Sequence, residues 1–275
     1  METALLNYFV QGTQLLSTCD FNPYVLEKGT GIYEVVRVEE GLPLFLQEHI
    51  TRFFSSAELE NITVNISGQF IRKAVRILIE QNRMQWGNIK FLFYRVGTDD
   101  SRFMAWVIPF AYPPAAVYAS GVEVGSMPAE RENPNAKKAL YTLRRQADNL
   151  IREKGFWEVV YVNRKGYLTE GSRSNIFFVN EKKLLTPELS MVLPGITRAK
   201  VLQLASEKNI PSEETFIPLS EIQKMNACFL TGTSAKILPV SRFNGIPFNL
   251  NDGLMRQLML WYEEMMQDDL HRFSW

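Results

Sequence analysis

The run Glu158–Phe178 constrains the chain most. Glu158-Val-Val-Tyr-Val-Asn163 alternates as a strand, and Asn163-Arg-Lys-Gly166 has turn composition. A second arm follows in Gly166-Tyr-Leu-Thr-Glu-Gly-Ser-Arg-Ser-Asn-Ile-Phe-Phe178. This predicts a hairpin whose open end carries one carboxylate, Glu170. There Gly171 and Ser172 let the backbone bend and a ligand approach closely. Taken alone, the stretch reads as a hairpin with a solvated polar end. Other pieces of the chain decide between the two.

The 275 residues allow two compact domains or one large one, and 46% apolar content supplies a sizeable core. Thirty basic residues balance thirty acidic ones, which argues against a general nucleic-acid or membrane-surface role. Cys19 and Cys228 lie far apart, and His49 and His271 are the only histidines, so no ordinary Cys/His metal site is expected. No charged-then-apolar leader is read at the start, and no apolar run reaches membrane-spanning length. The expectation is a reduced, cytoplasmic globular protein.

Strands are predicted at Leu5–Val10, Gly31–Val38, Asn88–Val96 and Phe103–Pro109, with Leu44–Leu46 returning on Gly31–Val38 as a hairpin. Helices are predicted at Glu48–Leu59 and Gln69–Gln81, the second burying Ile71, Ala74, Val75, Ile77 and Leu78. Strands and helices in separate runs make the first domain α+β. Tyr112-Pro-Pro-Ala-Ala116 cannot continue a strand, so the division falls at residues 1–115 and 116–275. Beyond it come a strand at Val122–Ser126, a helix entered at Ala136–Tyr141, and the central hairpin. Strands at Lys183–Pro187, Thr215–Pro218 and Ala227–Thr231, a helix at Ala199–Lys208 and a final amphipathic helix near Asn251–Asp268 complete an α/β domain.

Four features converge on an anionic cofactor. Arg52 stands on the helix behind His49 and is either a surface arginine or a bidentate phosphate ligand. Pro194-Gly-Ile-Thr197 opens a helix, where free N–H groups favour an anion, although Thr197 equally serves as a cap. Thr231-Gly-Thr-Ser234 is a small hydroxyl cluster or an ordinary turn. Lys137-Lys138 is a solvated pair, or it offers an amine that condenses with an aldehyde. Pyridoxal phosphate asks for that lysine, a phosphate cradle, and an acid against the pyridine nitrogen, for which Glu170 is the candidate.

In combination these motifs resemble the class IV aminotransferases, the fold-type IV pyridoxal-phosphate enzymes. That group includes branched-chain and D-amino-acid aminotransferases and aminodeoxychorismate lyases. The resemblance runs through Gly31-Ile-Tyr-Glu-Val-Val-Arg-Val38, Glu48-His-Ile-Thr-Arg52, Ser55-Ser-Ala57, Thr169-Glu-Gly-Ser-Arg-Ser-Asn-Ile-Phe177, Leu193-Pro-Gly-Ile-Thr-Arg198 and Leu230–Val240. It implies a two-domain α/β (α+β) fold and pyridoxal 5′-phosphate as cofactor. The substrates would be a branched-chain or D-amino acid and a 2-oxo acid, handled by a homodimer without nucleic-acid or membrane partners.

Position by position, the resemblance assigns the phosphate to Arg52, Ile196, Thr197 and Thr233, the ring nitrogen to Glu170, and the vicinity of the phenolic oxygen to Tyr141. The catalytic lysine is Lys137, 33 residues before Glu170, with Lys138 the alternative. If both lysines open a helix, only one faces the pocket. Tyr33 and Val35 match the D-amino-acid type on the substrate side, where Ser234 also falls. The chain departs from the family in two places: Leu140 replaces the usual asparagine, and neither a Tyr-x-Arg-Pro nor an Arg-x-His carboxylate trap is present. Lys90 or Arg95 is then the candidate to meet a substrate carboxylate. Pyruvate elimination by a lyase and ligand binding by a catalytically silent relative remain alternatives.

Overall fold

Alternation of period two produces β1 (Leu5–Gln11), β2 (Gln14–Ser17), β3 (Thr30–Glu39), β4 (Leu42–Pro43), β5 (Trp86–Val96) and β6 (Asp100–Ile108). The computed structural model describes residues 2–23, 30–96, 100–131, 133–137 and 141–275. Among these, the six strands form one antiparallel sheet of order β2-β1-β6-β5-β3-β4. One face, bearing Ile32, Val36, Ile89, Phe91 and Val107, packs into a core with α1 (Leu46–Leu59) and α2 (Gly68–Asn82). The other face carries Tyr33, Leu92, Tyr94, Met104 and Trp106, all buried.

Local chemistry sets the helix ends. Ser67 caps α2, its Oγ accepting from Phe70 N at 3.1 Å. Its buried stripe is Ile71, Ala74, Val75, Leu78 and Ile79, so Ile79 takes the place expected of Ile77. No strand forms at Leu44–Leu46. Phe45 turns left-handed (φ 50°) and starts α1, and Asp269 Oδ2 accepts its N–H at 2.7 Å. A carboxylate at that end also suits the positive pole of the helix.

The rest of the chain adds α3 (Ala115–Ser120), β7 (Val122–Pro128), α4 (Tyr141–Lys154), β8 (Glu158–Val162), β9 (Leu168–Gly171) and β10 (Asn175–Asn180). Then come β11 (Lys183–Pro187), α5 (Ile196–Glu207), β12 (Ser212–Thr215), β13 (Ala227–Gly232), β14 (Lys236–Phe243), β15 (Ile246–Pro247) and α6 (Gly253–Arg272). The second sheet runs β12-β11-β10-β13-β14-β7-β8-β9, with β15 beside β14. The pairs β11–β12, β14–β7 and β7–β8 are parallel. Thr215 ends a strand begun at Ser212 because Ser212–Thr215 lies in register against Leu184–Pro187, so the strand expected at Thr215–Pro218 sits earlier.

The chain forms two compact units. One comprises Met1–Ala111, Ala136–Ala139 and Met266–Trp275, and the other Tyr112–Asn135 and Leu140–Met265. Among the described residues, no helix is long and apolar enough to cross a membrane.

Candidate active site

Strand alternation turns Glu34 towards the helix-packed face of the first sheet, among Ile32, Val36 and Val38, where a lone carboxylate is costly. Helix α1 supplies its partners. His49 and Arg52, three residues apart, share one face of that helix. Arg52 Nε donates to Glu34 Oε1 and Nη2 to Oε2, both at 2.7 Å, and His49 Nδ1 lies 2.8 Å from Oε2. Burial by itself would raise the Glu34 pKa, but the charge and hydrogen bonds of Arg52, helped by His49, outweigh it and hold the carboxyl at about 2. Burial depresses His49 below its usual value despite Glu34, so the ring is neutral at pH 7 and donates Nδ1–H to the carboxylate.

Lys137 belongs to the same unit and lies before α4 rather than on it. The helical argument for choosing between the lysines therefore does not apply, and Lys138 lies outside the described residues. Lys137 is half-buried, and its backbone is held at both ends. Its N–H donates to Ser56 Oγ and its carbonyl accepts from Tyr33 N, each at 3.1 Å. The ammonium lies 5.1 Å from the Tyr33 ring centroid. Lys90, also buried, approaches the same ring at 4.6 Å. Val35 stands opposite Lys90 in the register and packs at the edge of this aromatic cluster. Arg95, near the end of β5, is exposed, so Lys90 alone of the two proposed cations joins Tyr33 and Lys137.

In the second unit Glu170 is buried at the end region of β9. Arg131 Nη1 donates to Oε1 at 2.6 Å and Leu193 N to Oε2 at 2.9 Å, two charge-assisted bonds that favour the anion. The loop beyond it is tied to a second buried acid. Glu158 accepts from Ser172 N (3.2 Å) and Oγ (2.7 Å), Arg173 N (3.1 Å) and Ser174 Oγ (3.1 Å). The backbone at Gly171 is closely approached: an added Cβ would come 2.1 Å from Ser174 Oγ, so that hydroxyl would have to move. Burial first, and the Glu158 charge second, lift the Tyr161 phenol between these acids to about 12, so it stays a neutral hydroxyl.

Gly195 caps α5 without a side-chain hydrogen bond, and Ile196 and Thr197 stand in the first turn, the helix end whose dipole favours an anion. A Cβ at Gly195 would come 2.0 Å from Asn175 Oδ1, which packs the backbone closely there. Thr197 is buried, its Oγ1 3.3 Å from the Tyr262 hydroxyl. Thr233 and Ser234, half-buried, form the turn between β13 and β14. At its entry Thr231 Oγ1 is buried without a hydrogen-bond partner among the described residues. An uncapped helix end, a glycine without room for a side chain and an orphaned hydroxyl fit a phosphate-bearing group. Tyr141 is the first residue of α4. Among the described residues, no cluster of three His, Cys, Asp or Glu side chains could hold a metal.

Sequence reasoning gave no role to Glu34, Arg131 or Ser56, and used Glu158 only for its spacing of 21 residues from Lys137. For Glu34 a signal existed, because an acid at a core-facing strand position demands buried partners. Arg131 and Glu170 are 39 residues apart, and nothing local links them.

Residues 31–243 match the family Amino-transferase class IV. The chain is 28% identical over 241 residues to the branched-chain-amino-acid aminotransferase of Pseudomonas aeruginosa, covering 81% of this chain and 78% of that one. It is 26% identical over 230 residues to the D-alanine aminotransferase of Bacillus licheniformis, covering 79% and 80%. Among solved structures, the branched-chain amino acid aminotransferase from Thermobaculum terrenum in its PLP form superposes with a TM-score of 0.84 at 22% identity, covering 96% and 95%. With the family matched across most of its length and the mixed two-sheet fold in place, the chain belongs to the class IV aminotransferases.

Proposed function

We propose that the protein transfers an amino group between an amino acid, of the branched-chain or D type that its relatives' names suggest, and a 2-oxo acid, with pyridoxal 5′-phosphate as cofactor. The observation that carries this reading is Lys137, half-buried, pinned through both backbone groups and aimed over Tyr33. When bound, pyridoxal phosphate supplies an aldehyde for amines and a ring that withdraws electrons from the substrate α-carbon.

Lys137 Nζ would hold the group at its aldehyde carbon, and as a free amine it would be the base that carries a proton at the substrate α-carbon. Glu170, kept anionic by Arg131 and Leu193 N, accepts the ring N–H and retains the proton there. Arg52, oriented by Glu34, binds the phosphate together with the N–H groups of Ile196 and Thr197 and the Thr233 hydroxyl. By the family resemblance, Tyr141 would stand near the phenolic oxygen. Tyr33, Val35 and Ser234 border the substrate, and Lys90 meets a carboxylate. A second copy of the chain completes the assembly.

Mixing the holoenzyme with single L- and D-amino acids tests this. A competent donor removes the aldehyde absorption and a 2-oxo acid restores it. If no amino acid does so while aminodeoxychorismate yields 4-aminobenzoate and pyruvate, the reaction is elimination.

A further inference from the structure

Glu170 is gripped from one short loop, directly on one oxygen and at one remove on the other. Arg131 donates Nη1–H to Oε1 at 2.6 Å. Oε2 accepts the N–H of Leu193 at 2.9 Å, and that N–H belongs to the peptide group joining Val192 to Leu193. The carbonyl of the same peptide accepts from Asn135 Nδ2 at 2.9 Å. A second bond from Asn135 Nδ2, at 2.7 Å, goes to the carbonyl of Leu189. Two carbonyl acceptors demand the amino end of the carboxamide, which has one N–H for each, so its orientation is fixed. Asn135 follows Arg131 by four residues and precedes Lys137 by two.

The next peptide gives the contrast. Asn175 Nδ2 donates to the carbonyl of Leu193 at 3.0 Å, so a second carboxamide anchors the same segment. That peptide joins Leu193 to Pro194, which has no N–H, and nothing passes on to an acid. In the Val192–Leu193 peptide, bonding at the oxygen polarises the N–H and strengthens its bond to the carboxylate. We propose that Asn135 is a positioning residue for Glu170, acting through the Val192–Leu193 peptide to fix one of its two oxygens. Asn175 anchors the chain and goes no further. The loop that leads to Lys137 thus sets both oxygens of the acid, one by a guanidinium and one by an amide relay. Acting through Glu170, Asn135 bears on kcat and not on KM. That consequence rests on the reading of Glu170 as the acid of amino-group transfer; the relay itself does not.

The relay has its own spectroscopic signature. Holoprotein labelled at valine carbonyl carbons and leucine nitrogens gives one NMR correlation for each Val-Leu pair, of which the sequence has three. That of Val192–Leu193 is assigned by its loss in Leu193→Met. In Asn135→Ala its carbonyl carbon and its amide proton are both expected to move upfield, since the bonds at the two ends weaken together. Asn175→Ala should move the amide proton less. Single-turnover conversion of a competent amino donor should slow on the order of tenfold in Asn135→Ala, the size of one lost hydrogen bond, with half-saturation unchanged. In a Glu170→Gln background Asn135→Ala should slow it by no more than about twofold, whereas Asn175→Ala keeps its full effect. An amide proton that does not move in Asn135→Ala overturns the proposal, as does equal slowing with and without the Glu170→Gln change. If Asn135→Ala folds poorly, Asn135→Asp keeps the shape without the donor and should shift the correlation in the same direction; an unmoved amide proton there also overturns it. If the correlation moves as expected while Glu170→Gln leaves conversion unchanged, the relay stands and the reading of Glu170 falls. If Glu170→Gln slows conversion while Asn135→Ala leaves correlation and rate untouched, the reading stands and the relay falls.

Discussion

Glu34 and Glu170 are both buried acids held by an arginine, yet they sit in different kinds of place. Glu34 lies mid-strand on a core-facing row, and its partners come from one helix face. Glu170 is on a four-residue strand, and its partners come from Arg131 and from the backbone at Leu193, outside regular strands and helices. Two rigid elements meet at the first acid, which welds β3 to α1. Irregular segments meet at the second, where one partner can give way to a ligand without unlocking a core. The comparison teaches that burial and an arginine do not by themselves mark a reactive acid; the elements that supply the partners do.

Breaking the first acid should have the largest effect. Glu34→Ala strands Arg52 and His49 in the core, and urea denaturation is expected to show a loss of about 3–5 kcal/mol. Arg52→Leu leaves the Glu34 carboxylate uncompensated and should destabilise by a similar amount, so it injures the fold as well as cofactor retention. The same cluster predicts the acid response. With a folded pKa of about 2 against an ordinary 4.5, Glu34 contributes stability that is full above 4.5 and is lost as pH falls towards 2. His49, depressed below 6.5, adds a loss that begins as pH drops through that value, because the unfolded chain takes up the proton first. Stability curves between pH 7 and 3 check both signs, and in Glu34→Ala the lower-pH component should vanish.

The second acid should break differently. Glu170→Gln keeps an oxygen for Arg131 or Leu193 N, so denaturation should shift by no more than about 1–2 kcal/mol. Amino-group transfer should fall on the order of a hundredfold or more, since the ring nitrogen loses its anion. If Glu170→Gln unfolds the protein as Glu34→Ala does, the contrast between the two places fails.

How much of this was legible in sequence follows from range. Alternation in Gly31–Val38 and the stripe beginning at Ile71 report on neighbours a few residues away, and both elements stand where expected. The start of α1 was misread because Leu-Phe-Leu looks extended, while a left-handed Phe45 held by Asp269, 224 residues on, begins a helix there. Arg52 was legible as a candidate ligand, but its grip on Glu34 crosses from helix to strand and has no local sign. Lys137 was expected on a helix, since Ala136–Tyr141 has helical composition. It is instead held by long-range bonds to Ser56 and Tyr33.

The smallest effect sharpens the account at that lysine. Ser56→Ala removes one of the two bonds pinning the Lys137 backbone, and the denaturation midpoint should register about 1 kcal/mol. Cofactor retention should weaken more than this loss implies, because the lysine then samples other positions.

The most direct test of the central claim is the address of the cofactor. The holoprotein is reduced with borohydride and digested, and the peptides are weighed. The account predicts a single pyridoxyl group on Lys137. A pyridoxyl group on Lys138 or on Lys90, with Lys137 unmodified, would contradict it.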